Sequence, residues 1–345
     1  MANEQGIGPR ERLARALRAS LVILSAMTAF PGIAGAQPRD LEPGSLLVYP
    51  FFDNRPGRET VVTVTNTNFD RSVTPNGFKT GDVLAHFVYV DGLDCLEFDR
   101  AEFLTPGDTL TVPTTVHDPH AGFGFLYVYA TDPETHEPIE FDHLLGDILV
   151  IASGLEGGWS IQAVAFQAFP GGPPGPAAPT SGSGHAFTDA DGDGLRDFDG
   201  IEYDLFPDAL YVPRFFEEGA RNQTQLVLVT PFGPEYIASA EFSIFNNSED
   251  RFSRSLRFSC WFAADLSTIS SITSSLGGNP FEFAPRQTGW LRIAGGRLIN
   301  RSGRREPFDT AVLGFALENL GPVGNRIQVA RLLNHSGTRF GGSLR

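Results

Sequence analysis

The chain has 345 residues and a formal net charge of −15, from 41 Asp and Glu against 26 Lys and Arg. So large an acidic excess argues against nucleic-acid phosphates and anionic lipid as partners. Beyond the amino-terminal segment no apolar stretch is long enough for a membrane-spanning helix, so none is expected in the mature chain.

Residues 1–36 read as a secretory leader. Arg10, Arg12, Arg15 and Arg18 form a positive region, Leu21–Phe30 a short apolar core, and Ala34-Gly35-Ala36 a small-x-small cleavage site that leaves Gln37 as the mature start. No twin arginine precedes the core and no cysteine follows the cleavage site. General secretion, to the periplasm or outside the cell with cell-surface association as a further destination, is the expected route.

From Gln37 to Phe169 strand signals follow one another. Leu46–Phe52 is an apolar run holding Pro50, which predicts an edge or bulged strand. Glu59–Thr67, Leu84–Val90, Asp108–Thr114, Gly124–Ala130, Asp147–Ser153 and Trp159–Phe169 are rich in β-branched and aromatic residues. Turn formers separate them, and Phe141–Leu145 is the one short helical candidate. Spacing of about a dozen residues predicts an antiparallel sandwich.

From Leu205 the same order returns. Tyr211–Phe216 echoes Val48–Phe52, Thr224–Thr230 echoes Glu59–Thr65, and Ala240–Asn246 echoes Ala85–Asp91. Gly289–Ile293 echoes Gly124–Val128, Leu313-Gly314 echoes Leu145-Gly146, and Ile327-Gln328 echoes Ile161-Gln162. Cys95 and Cys260 each follow the third echo. The fold expected is all-β: two tandem antiparallel β-sandwich domains, residues 37–169 and 205–345, made by internal duplication. A Pro/Gly/Ser linker with an Asp-rich loop, residues 170–204, joins them. If the cysteines are equivalent, a bridge between them crosses from one domain to the other; two buried free thiols are the alternative.

The segment Asp189–Glu202 carries Asp189, Asp191, Asp193 and Asp197, with Gly194 after the third. Ca²⁺ takes six to eight hard oxygen ligands, and alternate residues of a curling loop supply them. Leu195 would add its backbone carbonyl. This spacing resembles the EF-hand, dockerin and thrombospondin type 3 calcium loops over about a dozen residues. It departs at the last ligand position, where Gly200 stands in place of the bidentate glutamate and Glu202 is the substitute. The Pro/Gly-rich segment before the loop excludes the helix that an EF-hand needs. The resemblance implies one calcium ion held by Asp189, Asp191, Asp193, Leu195, Asp197 and Glu202, stiffening the junction between the domains.

Catalytic signals are sparse. There is no Gly-x-Ser-x-Gly elbow and no phosphate-cradling glycine loop. His117-Asp118-Pro119-His120, and His136 with Glu137, Glu140, Asp142 and His143, are the two histidine clusters. Neither has the form of a catalytic zinc site, and polar side chains on exposed loops are the simpler reading. Trp159, Trp261 and Trp290 suit core packing better than a sugar platform. The function expected is an exported calcium-binding structural or adhesive protein without catalysis. Two alternatives remain: a secreted module that binds a surface glycan or protein, and a calcium-supported secreted hydrolase.

Overall fold

A computed structural model describes residues 42–345 except 119, 153–156, 169–184, 187–195, 199–201, 217–221, 247–248, 270–287, 322–326, 340–342 and 345. The expected leader lies outside the described residues. The first half holds β1 (Leu46–Asp53), β2 (Arg58–Asn66), β3 (Val83–Asp91), β4 (Glu97–Leu104), β5 (Thr109–Pro113), the one-turn helix α1 (Thr114–His117), β6 (Phe123–Thr131), β7 (Ile139–Glu140), β8 (Leu144–Ala152), β9 (Gly158–Gln162) and β10 (Val164–Phe166). Between the halves lie β11 (His185–Ala186) and β12 (Arg196–Asp197). The second half holds β13 (Phe206–Phe216), β14 (Asn222–Val229), β15 (Tyr236–Asn246), β16 (Arg251–Phe258), β17 (Trp261–Asp265), α2 (Leu266–Ile269), β18 (Thr288–Gly295), β19 (Arg297–Asn300), β20 (Arg305–Asp309), β21 (Leu313–Leu320), β22 (Ile327–Leu332), β23 (Asn334–Arg339) and β24 (Ser343–Leu344). The protein is all-β, and Phe141–His143 leads directly into β8 rather than forming a helix.

Each half contributes two larger antiparallel sheets. The first half gives β10-β1-β6-β3-β4 and β5-β2-β8-β9. The second gives β23-β13-β18-β15, with β16 on β15 and β19 and β20 extending it, and β17-β14-β21-β22. The strand order is the same in both halves, and so is the local irregularity. The β1–β6 ladder slips between Tyr49 and Phe52, and the β13–β18 ladder between Val212 and Phe215. Pro50 and Pro213 fall inside these bulges, where the missing N–H breaks no ladder bond. Hence β1 is an interior strand despite its proline. Opposite each bulge stands a glycine: a Cβ on Gly124 would lie 2.0 Å from the Val90 carbonyl oxygen, and one on Gly289 lies 2.0 Å from that of Phe245.

The halves do not form two self-contained sandwiches. The chain from Ala36 to Arg345 is one compact unit. Every residue of β1 is buried, because both of its faces are covered. Leu47, Tyr49 and Phe51 face the core under β2 and β8, and Val227, Phe315 and Leu317 of the second half enter that same core. On the other face, Leu46, Val48, Val90 and Phe125 join the core of the second half. The all-antiparallel reading therefore stands, with the cores fused rather than separate.

Cys95 and Cys260 form a disulfide, with Cα atoms 6.0 Å apart. They are not equivalent positions. Cys95 lies in the β3–β4 turn, whereas Cys260 lies between β16 and β17. The counterpart of Cys95 in the β15–β16 turn is Glu249, and both adopt left-handed backbone, φ 60° and 65°. The Ile327-Gln328 echo also needs correction. Ala163 N–H donates to the Gly146 carbonyl and Leu333 N–H to that of Gly314, so Ile161 corresponds to Arg331, four residues further on.

Candidate metal site and the polar clusters

The acidic loop is tied down on both sides. Before it, β11 pairs with β7, His185 opposite Glu140 and Ala186 opposite Ile139. Within it, β12 pairs with β24, Asp197 opposite Ser343. After it, Tyr203 bridges to Ala168. Asp204 clasps Gln167: its N–H donates to the Gln167 carbonyl, and its Oδ2 accepts the Gln167 N–H, each at 3.0 Å. Asp142 Oδ1 accepts the Ala168 N–H at 3.0 Å and the Ser45 hydroxyl at 2.8 Å.

Aromatic packing explains why the chain returns there. Phe198 lies 5.0 Å from Phe166 and 4.6 Å from Phe206 between ring centroids, and Tyr203 lies 5.6 Å from Phe198. Phe166, Phe198 and Phe206 are all buried, so burial of large rings holds the junction against the first half.

Of the six predicted ligands, Asp189, Asp191, Asp193 and Leu195 lie outside the described residues. Asp197 is in β12, and Glu202 is buried beside Tyr203, 1% exposed. Among the described residues no group of three or more His, Cys, Asp or Glu is placed to hold a metal. At the base of the loop, Asp204 and Asp142 spend their carboxylates on the backbone N–H groups of Gln167 and Ala168. Burial pushes the Asp142 carboxyl above the usual carboxylate range, against the hydrogen bonds from Ala168 and Ser45 that lower it. The pattern reading set Asp142 in the second histidine cluster and passed over Asp204, because neither falls in the ligand spacing.

The histidine clusters do not converge. His117 is buried; its Nδ1 lies 2.8 Å from the Tyr89 hydroxyl and its Nε2 3.4 Å from Glu102 Oε1. Burial lowers its pKa, against the pull of Glu102. His120 turns to Asp118, Nδ1 to Oδ1 at 3.2 Å, and stacks on Phe98. His136 has φ 64° in a turn whose backbone is capped by Asp132. His143 packs against Phe141, and burial lowers its pKa as well. Tyr89 is fully buried, so its hydroxyl is no nucleophile for an external substrate.

Two of the three tryptophans, Trp159 and Trp261, pack on Phe51, and Trp290 lies apart from them. Trp159 is in the core, 5.1 Å from both Phe51 and Phe315. Trp261 donates Nε1–H to the Pro50 carbonyl at 3.2 Å. Trp290 is 39% exposed and stacks on Phe245 at 4.2 Å, with Tyr211 6.3 Å away. A cleft of about 710 Å³ opens beside β9 and β22, with Thr63, Asp147, Ser160, Gln162 and Arg331 in its wall. Burial raises the Asp147 pKa and lowers that of Arg331.

No family model matches the chain, and no curated protein matches it. Among solved structures, it is similar to Thermotoga maritima 1070 over 39% of this chain and 98% of that one, at 7% identity and a TM-score of 0.26. It is similar to vicilin from Capsicum annuum over 83% of this chain and 75% of that one, at 10% identity and a TM-score of 0.16. Scores this low carry no argument about fold or function.

Proposed function

We propose that the chain is an exported, calcium-binding structural or adhesive protein of the cell surface or extracellular space, made by internal duplication of a two-sheet unit, and not an enzyme. The duplication is supported by the repeated strand order, the repeated bulge and the repeated glycine opposite it. Export is supported by the leader in the sequence, and the disulfide is consistent with an oxidising compartment.

The observation that carries the calcium reading is the anchorage of the loop on both sides, at β7 and at Ala168. An ion held by Asp189, Asp191, Asp193, Asp197, the Leu195 carbonyl and Glu202 offsets the mutual repulsion of crowded carboxylates. Because the segment is stitched to the first half and runs into β13 of the second, that ion stiffens the junction. The test is calorimetric titration of Ca²⁺ into the chelator-stripped chain, with a melting scan. Saturable binding and a raised melting point, both lost in Asp191→Ala, are expected. No binding at millimolar calcium would sink the reading.

A second reading is a glycan- or protein-binding module, and the exposed Trp290–Phe245 stack beside Tyr211 favours it. Retention on a glycan array, abolished by Trp290→Ala, would put it first.

A further inference from the structure

Two edge strands occupy the same place in the two halves and carry opposite charge. β4 ends the sheet that contains β1, and β16 flanks β15 at the corresponding edge of the second half. Among the described residues neither pairs with a strand on its outer side. β4 reads EFDRAEFL and β16 reads RFSRSLRF, and both are exposed over most of their eight residues. Phe103 on β4 is 46% exposed and Phe252 on β16 is 38% exposed. The halves behind them differ in the same sense. Residues 42–169 hold 5 basic against 19 acidic side chains, and residues 205–345 hold 15 against 12.

An exposed strand edge is a template for another chain, and proteins commonly guard it with charge. Like charge on both edges would keep copies apart. Opposite charge does so only for identical edges: β4 repels β4 and β16 repels β16, while β4 attracts β16. We propose that the chain assembles head to tail, the β4 edge of one copy adding antiparallel to the β16 edge of the next. In the register that sets Asp99 opposite Arg257, Glu102 falls opposite Arg254, Arg100 opposite Leu256, and Leu104 opposite Phe252. Asp99 and Glu102 are 63% and 42% exposed. Such a contact uses different surfaces on the two partners, so it propagates into a filament or closes into a ring. It gives the structural role proposed above a material form and rests on that reading only for its purpose.

The test is sedimentation of the disulfide-intact chain with chelator present, which leaves the calcium loop out of play. Average mass should rise with concentration at low salt and fall as salt screens the contact. Asp99→Arg and Arg257→Glu should each weaken association roughly tenfold when alone, and an equimolar mixture of the two variants should recover assembly beyond the dimer, through alternating original and reversed pairs. Circular dichroism of each variant checks that the fold survives. A chain that stays monomeric up to millimolar concentration at low salt overturns the proposal. So does assembly that both reversals leave unchanged. Assembly without calcium binding would keep this contact and remove the metal reading; calcium binding without assembly would do the reverse.

Discussion

Phe51 and Arg214 each follow the proline of a bulge, Pro50 in one half and Pro213 in the other, and they do opposite work. Phe51 is buried against Trp159 and Phe315, with ring centroids 5.1 and 5.9 Å away. Arg214 is half exposed and pairs with the fully buried Glu318 at 2.9 Å, which Arg331 also contacts. Val150 opposite Trp159 in the first half becomes Glu318 opposite Val329 in the second. An apolar seat for Phe315 is thus replaced by an ion cluster, which closes the second half to a third unit as a polar cap does in repeat proteins. Phe51→Ala should cost about 3–5 kcal/mol of stability by urea denaturation, and Arg214→Ala less, because Arg331 still pairs with the buried Glu318. Equal costs would refute the distinction. Acid should also loosen the fold through His86, His117 and His143, whose pKa values are all lowered by burial. With the folded pKa below the unfolded value of about 6.5, the unfolded chain takes up protons first. Stability is then full above about pH 6.5 and falls as the pH drops toward the folded pKa values. His117→Gln should flatten the pH dependence of the urea midpoint below pH 6.5, and an unchanged slope would clear His117 of any part in it.

At the scale of elements, the repeated bulge makes a demand that only glycine meets. Gly289→Ala would drive a methyl group into the Phe245 carbonyl and the Phe215 ring. The ladder must open or the bulge must shift, at a cost of several kcal/mol. The urea midpoint should fall well below that of Gly303→Ala, a turn glycine with open space around it and only its φ of 83° to strain. The same elements show what the sequence could reveal. β2 was legible because Val62 and Val64 alternate with Thr63 and Thr65 between core and outer face. The matches Ala85–Asp91 to Ala240–Asn246 and Gly124 to Gly289 survive in register, since each packs the same way in both halves. β4 and β16 left no strand signal, because an edge strand exposed on both faces has no reason to alternate. The Ile327 match slipped by four residues because Arg331, the true counterpart of Ile161, joins the cap. The cysteine pair misled because shared order along the chain does not imply shared place in the sheet. For the metal loop only the anchors can be compared; Asp142 showed only as a member of the second histidine cluster and Asp204 not at all, because their place comes from backbone they bind across the fold.

On the scale of the molecule, the fused cores and the disulfide make one claim together. Cys95 and Cys260 are 165 residues apart in sequence, so their bridge removes a long loop's worth of freedom from the unfolded chain, on the order of 5 kcal/mol in the chain-entropy account. It joins halves that already share apolar cores, through Phe315 and Leu317 on one side and Leu46 and Val48 on the other. Two tethered domains with separate cores would lose the bridge and then melt independently. Fused cores cannot come apart in halves without exposing Phe51, Trp159 and Phe315 together. Cys95→Ser with Cys260→Ser should therefore lower the urea midpoint while the transition stays single, with tryptophan fluorescence and far-ultraviolet circular dichroism coinciding. Trp159 and Trp261 sit where the halves meet and Trp290 on the outer surface of the second, so a separation of the halves before unfolding would pull the two probes apart. Two resolved transitions in the reduced chain would mean that the bridge, and not the shared core, holds the halves as one unit.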